Sequence, residues 1–171
     1  MSSKKHEINT AVALAVVALV WTGLLLGVSF LATPVKFLAP SLSLPVALDV
    51  GRQTFRWFSR VEIVLAIATL IAAFAYDKDR LRRMSRNAAL PLALPVSVAL
   101  LAAIAFQVLW LLPRLDARVE IILGGAMPPP SRLHDVYVAV EALKLAALVG
   151  LGWHAMGVLS RASSGMLEER R

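Results

Sequence analysis

The chain has 171 residues, 58% of them apolar, and a formal net charge of +7 at neutral pH. Its mean hydropathy of +0.72 is too high for a soluble domain, so we identify an integral membrane protein. The chain contains no cysteine, which excludes disulfides, thiolate catalysis and cysteine-ligated metal clusters. The basic residues flank the apolar stretches and belong to no recognisable nucleic-acid module, so no nucleic-acid partner is expected.

Four apolar stretches are each long enough to cross a hydrocarbon core of about 30 Å, which takes roughly 20 helical residues. Only short connections separate them. The sequence therefore predicts an all-α fold in one membrane domain over residues 1–171, a four-transmembrane-helix bundle with short interfacial helices on its outer side. The predicted transmembrane helices cover about residues 8–32, 58–77, 88–112 and 135–160.

The basic residues are distributed unevenly between the two ends of these helices. Ten of them lie in the N-terminus, the Asp77–Arg86 connection and the C-terminal tail, and seven lie on the opposite side. The positive-inside rule then predicts that both termini are cytoplasmic. The Asp77–Arg86 connection is also expected to bind anionic lipid, since each basic residue near such a surface contributes about 1 kcal/mol.

The first helix carries Gly23 and Gly27 in the spacing G-x-x-x-G. This spacing lets another helix backbone approach closely, and it predicts helix packing either inside the bundle or between copies of the chain in a homo-oligomer. The helix is expected to end near Thr33, because Pro34 disfavours helical geometry in the residue before it.

Basic residues also recur on one face at the start of the second helix, at Arg52, Arg56 and Arg60. Two interpretations compete. The arginines either snorkel to lipid phosphates near the helix end, or they face inward, where they meet Glu141 of the fourth helix or bind an anionic headgroup. The second interpretation makes Arg56 and Arg60 part of an outer-side site.

Polar side chains follow one stripe of the fourth helix, at His134, Tyr137, Glu141 and Lys144. At helical spacing the four lie within roughly 80° of arc. Because ionisable residues inside a membrane usually mark pathways or binding sites, we predict a binding site or a proton path here. Glu141 and Lys144 are also spaced i, i+3, so a purely structural ion pair is the alternative.

Distances along this helix argue against a metal or a haem. His134 and Glu141 are about 10 Å apart along the axis, and His134 and His154 about 30 Å, so neither pair can directly ligate one ion or one haem. The remaining histidine, His6, precedes the first helix. We expect no metal and no cofactor, with haem or a quinone as an open alternative.

Three segments carry a family resemblance: G-V-S-F-L-A-T-P-V-K-F-L-A-P at 27–40, A-L-D-V-G-R-Q-T-F at 47–55 and H-D-V-Y-V-A-V-E-A-L-K at 134–144. With these segments the chain resembles small bacterial four-helix integral membrane proteins of unknown function. The resemblance implies the same topology and a location in the bacterial inner (plasma) membrane. It implies no reaction, substrate or cofactor.

Three functions therefore stay open. The first is a transport, lipid-handling or accessory module with an outer-side polar site inside the membrane. The second is a membrane-embedded enzyme or redox-anchor subunit that acts on a quinone or lipid-like substrate. The third is a structural subunit of a larger membrane complex that packs through Gly23 and Gly27. A soluble-type enzyme is not expected, because the sequence has no catalytic triad spacing and no phosphate-binding glycine loop.

Overall fold

A computed structural model describes the backbone of residues 2–83 and 91–168, and the side chains of residues 5–78 and 91–160. Within these ranges the chain is helical and contains no strand, so the predicted all-α fold is confirmed. Four helices are long and apolar enough to cross a membrane: Lys5–Leu38, Leu44–Lys78, Ala93–Leu123 and Leu133–Ser160. The protein is a small multi-pass membrane protein.

The four long helices are assembled from shorter elements. The first comprises α1 (Ser2–Leu25), a π-helical segment (Leu26–Ala32), the short α2 (Thr33–Val35) and a 3-10 turn (Lys36–Leu38). The second is α3 (Leu44–Arg83), and the third comprises α4 (Ala93–Phe106), a π-helical segment (Gln107–Leu111) and α5 (Leu112–Leu123). The fourth is α6 (Leu133–Glu168).

Pro34 predicts that the first transmembrane helix ends near Thr33, but the helix continues to Leu38. A proline removes one backbone donor and crowds the preceding turn, and the wider π-helical segment that ends at Ala32 relieves this crowding. The hydroxyl group of Thr33 also donates a hydrogen bond to the carbonyl oxygen of Val28 (2.8 Å). The same arrangement recurs at Pro113, two residues after the second π-helical segment.

Continuity through Pro113 changes one further prediction. The sequence predicts short interfacial helices on the outer side, and residues 114–123 after Pro113 are the stretch expected to form one of them. These residues instead belong to α5 (Leu112–Leu123), which continues the third transmembrane helix without a break. Helix α3 likewise runs as far as Arg83, so much of the Asp77–Arg86 stretch is helical. The end of that stretch lies outside the described residues, as do its side chains beyond Lys78.

Small residues bring the helices together. Helix α1 packs mainly against α6 and α3, and α3 also packs against α4. Toward the N-terminal end of α1 the contact consists largely of alanines, among them Ala11, Ala18, Ala73 and Ala155, which are fully buried. Small side chains allow the close approach that gains van der Waals contact in lipid. Large aliphatic side chains such as Leu109 lie on the outside, 79% exposed, where lipid would cover them.

The glycines of the G-x-x-x-G spacing do not take part in this packing. A Cβ atom built at Gly23 or at Gly27 would meet no atom within 4 Å. By contrast, a Cβ at Gly152 of α6 would touch Leu19 of α1 at 3.5 Å. Within a single chain, Gly23 and Gly27 therefore face open space, and the expectation of packing inside the bundle is not met at these two positions.

Candidate functional site

A cluster of three charged side chains lies buried between α3 and α6. The ammonium group of Lys144 donates a hydrogen bond to Glu62 Oε1 at 2.7 Å and forms an ion pair with Glu141 Oε1 at 2.8 Å. All three side chains are at most 3% exposed. Glu62 comes from α3, whereas Lys144 and Glu141 are one turn apart on α6, so the cluster links two transmembrane helices.

The other two helices supply neutral hydrogen-bond donors to the carboxylates. The indole Nε1 of Trp21, on α1, donates to Glu62 Oε1 at 3.0 Å. The amide Nε2 of Gln107 donates to Glu141 Oε1 at 2.7 Å. Trp21, Glu62 and Gln107 each lie close to the middle of their transmembrane helices. All four helices therefore meet at one polar centre inside the bundle.

Both π-helical segments deliver a side chain to Glu141. Ser29, in the first segment, donates its hydroxyl hydrogen to Glu141 Oε2 at 3.0 Å. Gln107 is the first residue of the second segment. Single-turn π-helical departures from the α-helix are frequent at functional sites, because they re-aim side chains out of the regular helical order. Here two of them converge on one carboxylate.

The cluster carries more negative than positive charge. Two carboxylates and one ammonium group give it a formal charge of −1 when all three are ionised. The amide oxygen Oε1 of Gln107 is buried and has no hydrogen-bond partner among the described residues. An uncompensated charge in a low-dielectric interior is costly. One added proton would remove the net charge, and a proton-bearing carboxyl group could itself act as a donor.

A cavity of about 300 Å³ reaches the cluster from one side. Its lining includes Glu141 and, further from the cluster, Tyr137 and His134. Tyr137 is 5% exposed, its hydroxyl group interacts with Glu141, and its ring packs edge-on against Phe55 at a centroid distance of 5.0 Å. His134 is exposed. The cavity thus connects an exposed imidazole with a buried carboxylate.

A second cavity, of about 230 Å³, lies beside the first. The two share Thr33, Phe37, Phe55, His134 and Tyr137 among their lining residues. The second cavity extends between α3 and α5 and does not include Glu141 in its lining. Because these residues line both cavities, we describe the two cavities as one cleft. Glu141 lies at one end of the cleft, and the space between α3 and α5 forms the other end.

Three residues of the α6 stripe, His134, Tyr137 and Glu141, line this cleft, whereas Lys144 lies in the buried cluster and lines neither cavity. Tyr137, Glu141 and Lys144 are buried, and His134 lines both cavities. Their use as a binding site or proton path stays a prediction, since geometry alone does not test it.

The arginines of α3 are not the complement of Glu141. In the described part of the chain, Arg56 pairs with Asp116 of α5 at 2.9 Å, and Arg60 lies over the ring of Trp57 at 4.4 Å. Both arginines are exposed. A guanidinium group can find a carboxylate or an aromatic face at the helix surface without desolvation. The positive charge that pairs with Glu141 comes from Lys144, which also pairs with Glu62.

Glu62 is the site residue that the sequence pattern missed. The sequence pattern of α3 assigns Arg56 and Arg60 to a site and does not include Glu62. The rule that singled out Glu141 applies to it equally, because Glu62 is also an ionisable residue within an apolar stretch. Gln107 was visible in the sequence as the strong polar group of the third helix, and the structure gives it an interhelical hydrogen bond.

The histidines and carboxylates do not assemble into a metal site in the described ranges. No group of three or more histidine, aspartate and glutamate side chains lies close enough there to hold one ion. The ring of His154 packs edge-on against Tyr76, with ring centroids 5.9 Å apart, at the end of the bundle opposite His134.

Comparison with known proteins identifies a family that matches the chain. A family model described as "Domain of unknown function (DUF4149)" matches residues 15–120. No curated protein and no solved structure matches the chain. The matched segment contains Trp21, Ser29, Glu62 and Gln107 and ends before α6, which carries Glu141 and Lys144.

Proposed function

Because the chain belongs to the DUF4149 family, whose function is unknown, we propose its function from the buried cluster: a small membrane transport or lipid-handling module whose polar centre takes up and releases one proton. The observation that carries this proposal is the formal charge of −1 on Glu62, Lys144 and Glu141 in a nearly inaccessible site. A proton shared by the carboxylates neutralises the cluster, and its release restores the charge.

The cavity supports a route for that proton. It joins the exposed His134 to Glu141 past the Tyr137 hydroxyl group. Histidine often serves as a proton shuttle, because its two ring nitrogens can accept and release protons. A cluster that only fastened α3 to α6 would need one carboxylate for one ammonium group, and it would need no adjoining cavity. The second carboxylate is therefore the feature that separates proton exchange from simple helix pairing.

Infrared difference spectroscopy tests the proposal directly. The purified protein, in lipid nanodiscs, is compared between acidic and alkaline buffer, and the carboxylic acid carbonyl band is followed. We expect the wild type to show one carboxyl band from the cluster, which is missing from both Glu62→Gln and Glu141→Gln. If the wild type and these two variants gave the same carboxyl bands over the whole pH range in which the protein stays folded, the proposal would be overturned.

A matched control uses a carboxylate outside the cluster. Asp116 is paired with Arg56 at the surface of the bundle, so Asp116→Asn removes one carboxyl group without touching the buried centre. The titrating band should persist in this variant. If the band disappears in Asp116→Asn and persists in Glu141→Gln, the proton belongs to the surface pair.

We further propose that the chain resides in a bacterial inner membrane with both termini cytoplasmic and that the Asp77–Arg86 stretch binds anionic lipid. Since the native chain has no cysteine, single-cysteine variants report topology cleanly. A membrane-impermeant maleimide added to intact spheroplasts should label Ser131→Cys but label Ser3→Cys only after lysis. The reverse pattern would place the termini outside.

A further inference from the structure

A lysine beside the cleft has aromatic rings as its nearest neighbours. Lys36, in the 3-10 turn that ends the first transmembrane helix, makes no ion pair within the described residues, and its contacts are to rings. Its ammonium group lies 5.1 Å from the centroid of Phe37 and 5.9 Å from that of Phe55. A lysine at a helix end normally extends into water or toward lipid headgroups. This one is half-buried and lines the second cavity.

Gly51 makes room for this ammonium group. A Cβ atom built at Gly51 of α3 would collide with Nζ of Lys36. Any other residue at this position would push the cation away from the cavity wall or force the lysine into another rotamer. The fold thus holds the charge of Lys36 between a glycine and two aromatic rings.

The rest of the second cavity is mostly apolar. Its α5 wall includes Leu112, Leu115, Val119 and Ile122. Two further cations reach the same cavity: Arg52, which already pairs with Asp49 and Glu120, and Arg118, which makes no ion pair among the described residues. One carboxylate, Asp116, also lines this cavity, and it pairs with Arg56. Among the described residues, the cavity therefore combines two cations that make no ion pair, Lys36 and Arg118, with a largely apolar wall.

We propose that this cleft binds an amphiphile with a single anionic group, which pairs with Lys36 while the apolar chain lies along α5. The charges of the cleft orient the ligand. An anion is attracted to the Lys36 end and repelled from the other end, where Glu141 lines the first cavity. Arg118 can supply a second contact to the same anion. This proposal names a ligand class for the proposed function. Any link between the ligand and proton exchange rests on that function, whereas binding itself requires only the cleft.

Photocrosslinking with a defined probe tests the site. The full-length protein, in nanodiscs of zwitterionic lipid, is irradiated with a diazirine-bearing fatty acid, and the labelled residues are mapped by mass spectrometry. We expect labelling on the α5 wall and near Phe37. Dodecanoate should compete, whereas dodecanol, which has the same chain and no charge, should compete at least tenfold less well.

Two variants test whether the ammonium group of Lys36, and not the positive charge of the protein in general, binds the ligand. Lys36→Gln should weaken competition by dodecanoate about tenfold, which corresponds to about 1.4 kcal/mol. Gly51→Ala should weaken it as well, although the lysine is retained, because the ammonium group is displaced. Arg60→Gln is the matched control: it removes one positive charge from α3 at a position stacked on Trp57, and competition should be unchanged.

The outcomes decide both the ligand and its relation to the proton. Stronger competition by dodecyl phosphate than by dodecanoate assigns the site to a phosphate headgroup, and the reverse assigns it to a free carboxylate. Equal competition by dodecanol, or undiminished competition in Lys36→Gln, overturns the ligand proposal. The infrared carboxyl band of Lys36→Gln is measured in parallel, so a failed ligand site with an intact band is distinguished from a failed proton site with intact binding.

Discussion

The ammonium group of Lys144 lies 2.7 Å from Glu62, a residue 82 positions away in sequence, and 2.8 Å from its neighbour Glu141. One cation is thus shared by a carboxylate on its own helix and one on another. The local pair alone would not require α3 and α6 to adopt a particular register. The long-range contact does, because it is made only when Glu62 and Lys144 reach the same depth in the bundle.

The first prediction concerns the asymmetry between the cation and its two anions. Lys144→Met leaves two buried carboxylates without their cation, and we expect it to destabilise the fold by about 3–5 kcal/mol, the usual loss when one partner of a buried pair is removed. Glu62→Gln leaves one carboxylate and one ammonium group, a balanced pair, and should change stability far less. Thermal unfolding in detergent, followed by intrinsic tryptophan fluorescence, measures both.

A combined variant provides the control for this asymmetry. Glu62→Gln, Glu141→Gln and Lys144→Met together remove every charge from the cluster, so stability should recover relative to Lys144→Met alone. Equal destabilisation by Glu62→Gln and Lys144→Met would show that the net charge of the cluster is not what limits stability.

The second prediction concerns the indole donor of Trp21. Trp21→Phe keeps most of the ring but removes the hydrogen bond to Glu62, which is made to a buried charged acceptor. Hydrogen bonds to charged groups contribute about 1.5–3 kcal/mol, so we expect a loss of this size in the free energy of unfolding. Trp57→Phe is the matched control, since Trp57 is 65% exposed. A similar loss in both variants would assign the effect to ring packing.

The sequence predicts the number of transmembrane helices and the polar stripe on α6, because apolar length and helical spacing are local properties. It does not predict which residue faces Glu141. Arg56 and Arg60 are positively charged and close to a helix end, but that position lets them reach Asp116 and the ring of Trp57 at the surface. Partner choice depends on helix depth and rotation, which are set by long-range packing. Glu141 instead pairs with Lys144, which lies one turn away on the same helix.

The third prediction separates the surface ion pair from the buried cluster. Arg56 and Asp116 join α3 to α5, and the side chain of Arg56 is 51% exposed. Exposed ion pairs contribute about 0.2–1 kcal/mol, so a double-mutant cycle with Arg56→Gln and Asp116→Asn should give a coupling energy in this range that falls further with added salt. A coupling above about 2 kcal/mol would mean that the pair is shielded from solvent, as at a protein interface.

The fourth prediction concerns the start of α4. Oδ2 of Asp77, on α3, accepts a hydrogen bond from the backbone N–H of Leu94 at 2.7 Å. The carboxylate thereby caps the N-terminus of the next transmembrane helix, where negative charge is favourable. Asp77→Ala should cost about 0.5–2 kcal/mol and raise hydrogen exchange in the first turn of α4. Asp77→Asn retains an acceptor oxygen and should cost less; equal costs would contradict a capping role.

The fifth prediction uses the open glycines of α1 to detect an assembly. Because a Cβ atom at Gly23 or Gly27 meets nothing within 4 Å, Gly23→Ala and Gly27→Ala should leave the stability of the isolated chain unchanged or slightly raised, as alanine is the better helix former. Gly152→Ala, whose Cβ would touch Leu19, provides a contrasting position inside the bundle. Native mass spectrometry of the same variants reports the oligomeric state. A wild-type dimer that dissociates in Gly23→Ala or Gly27→Ala would show that these glycines pack between chains, whereas destabilisation of a monomer by either variant would contradict the open face.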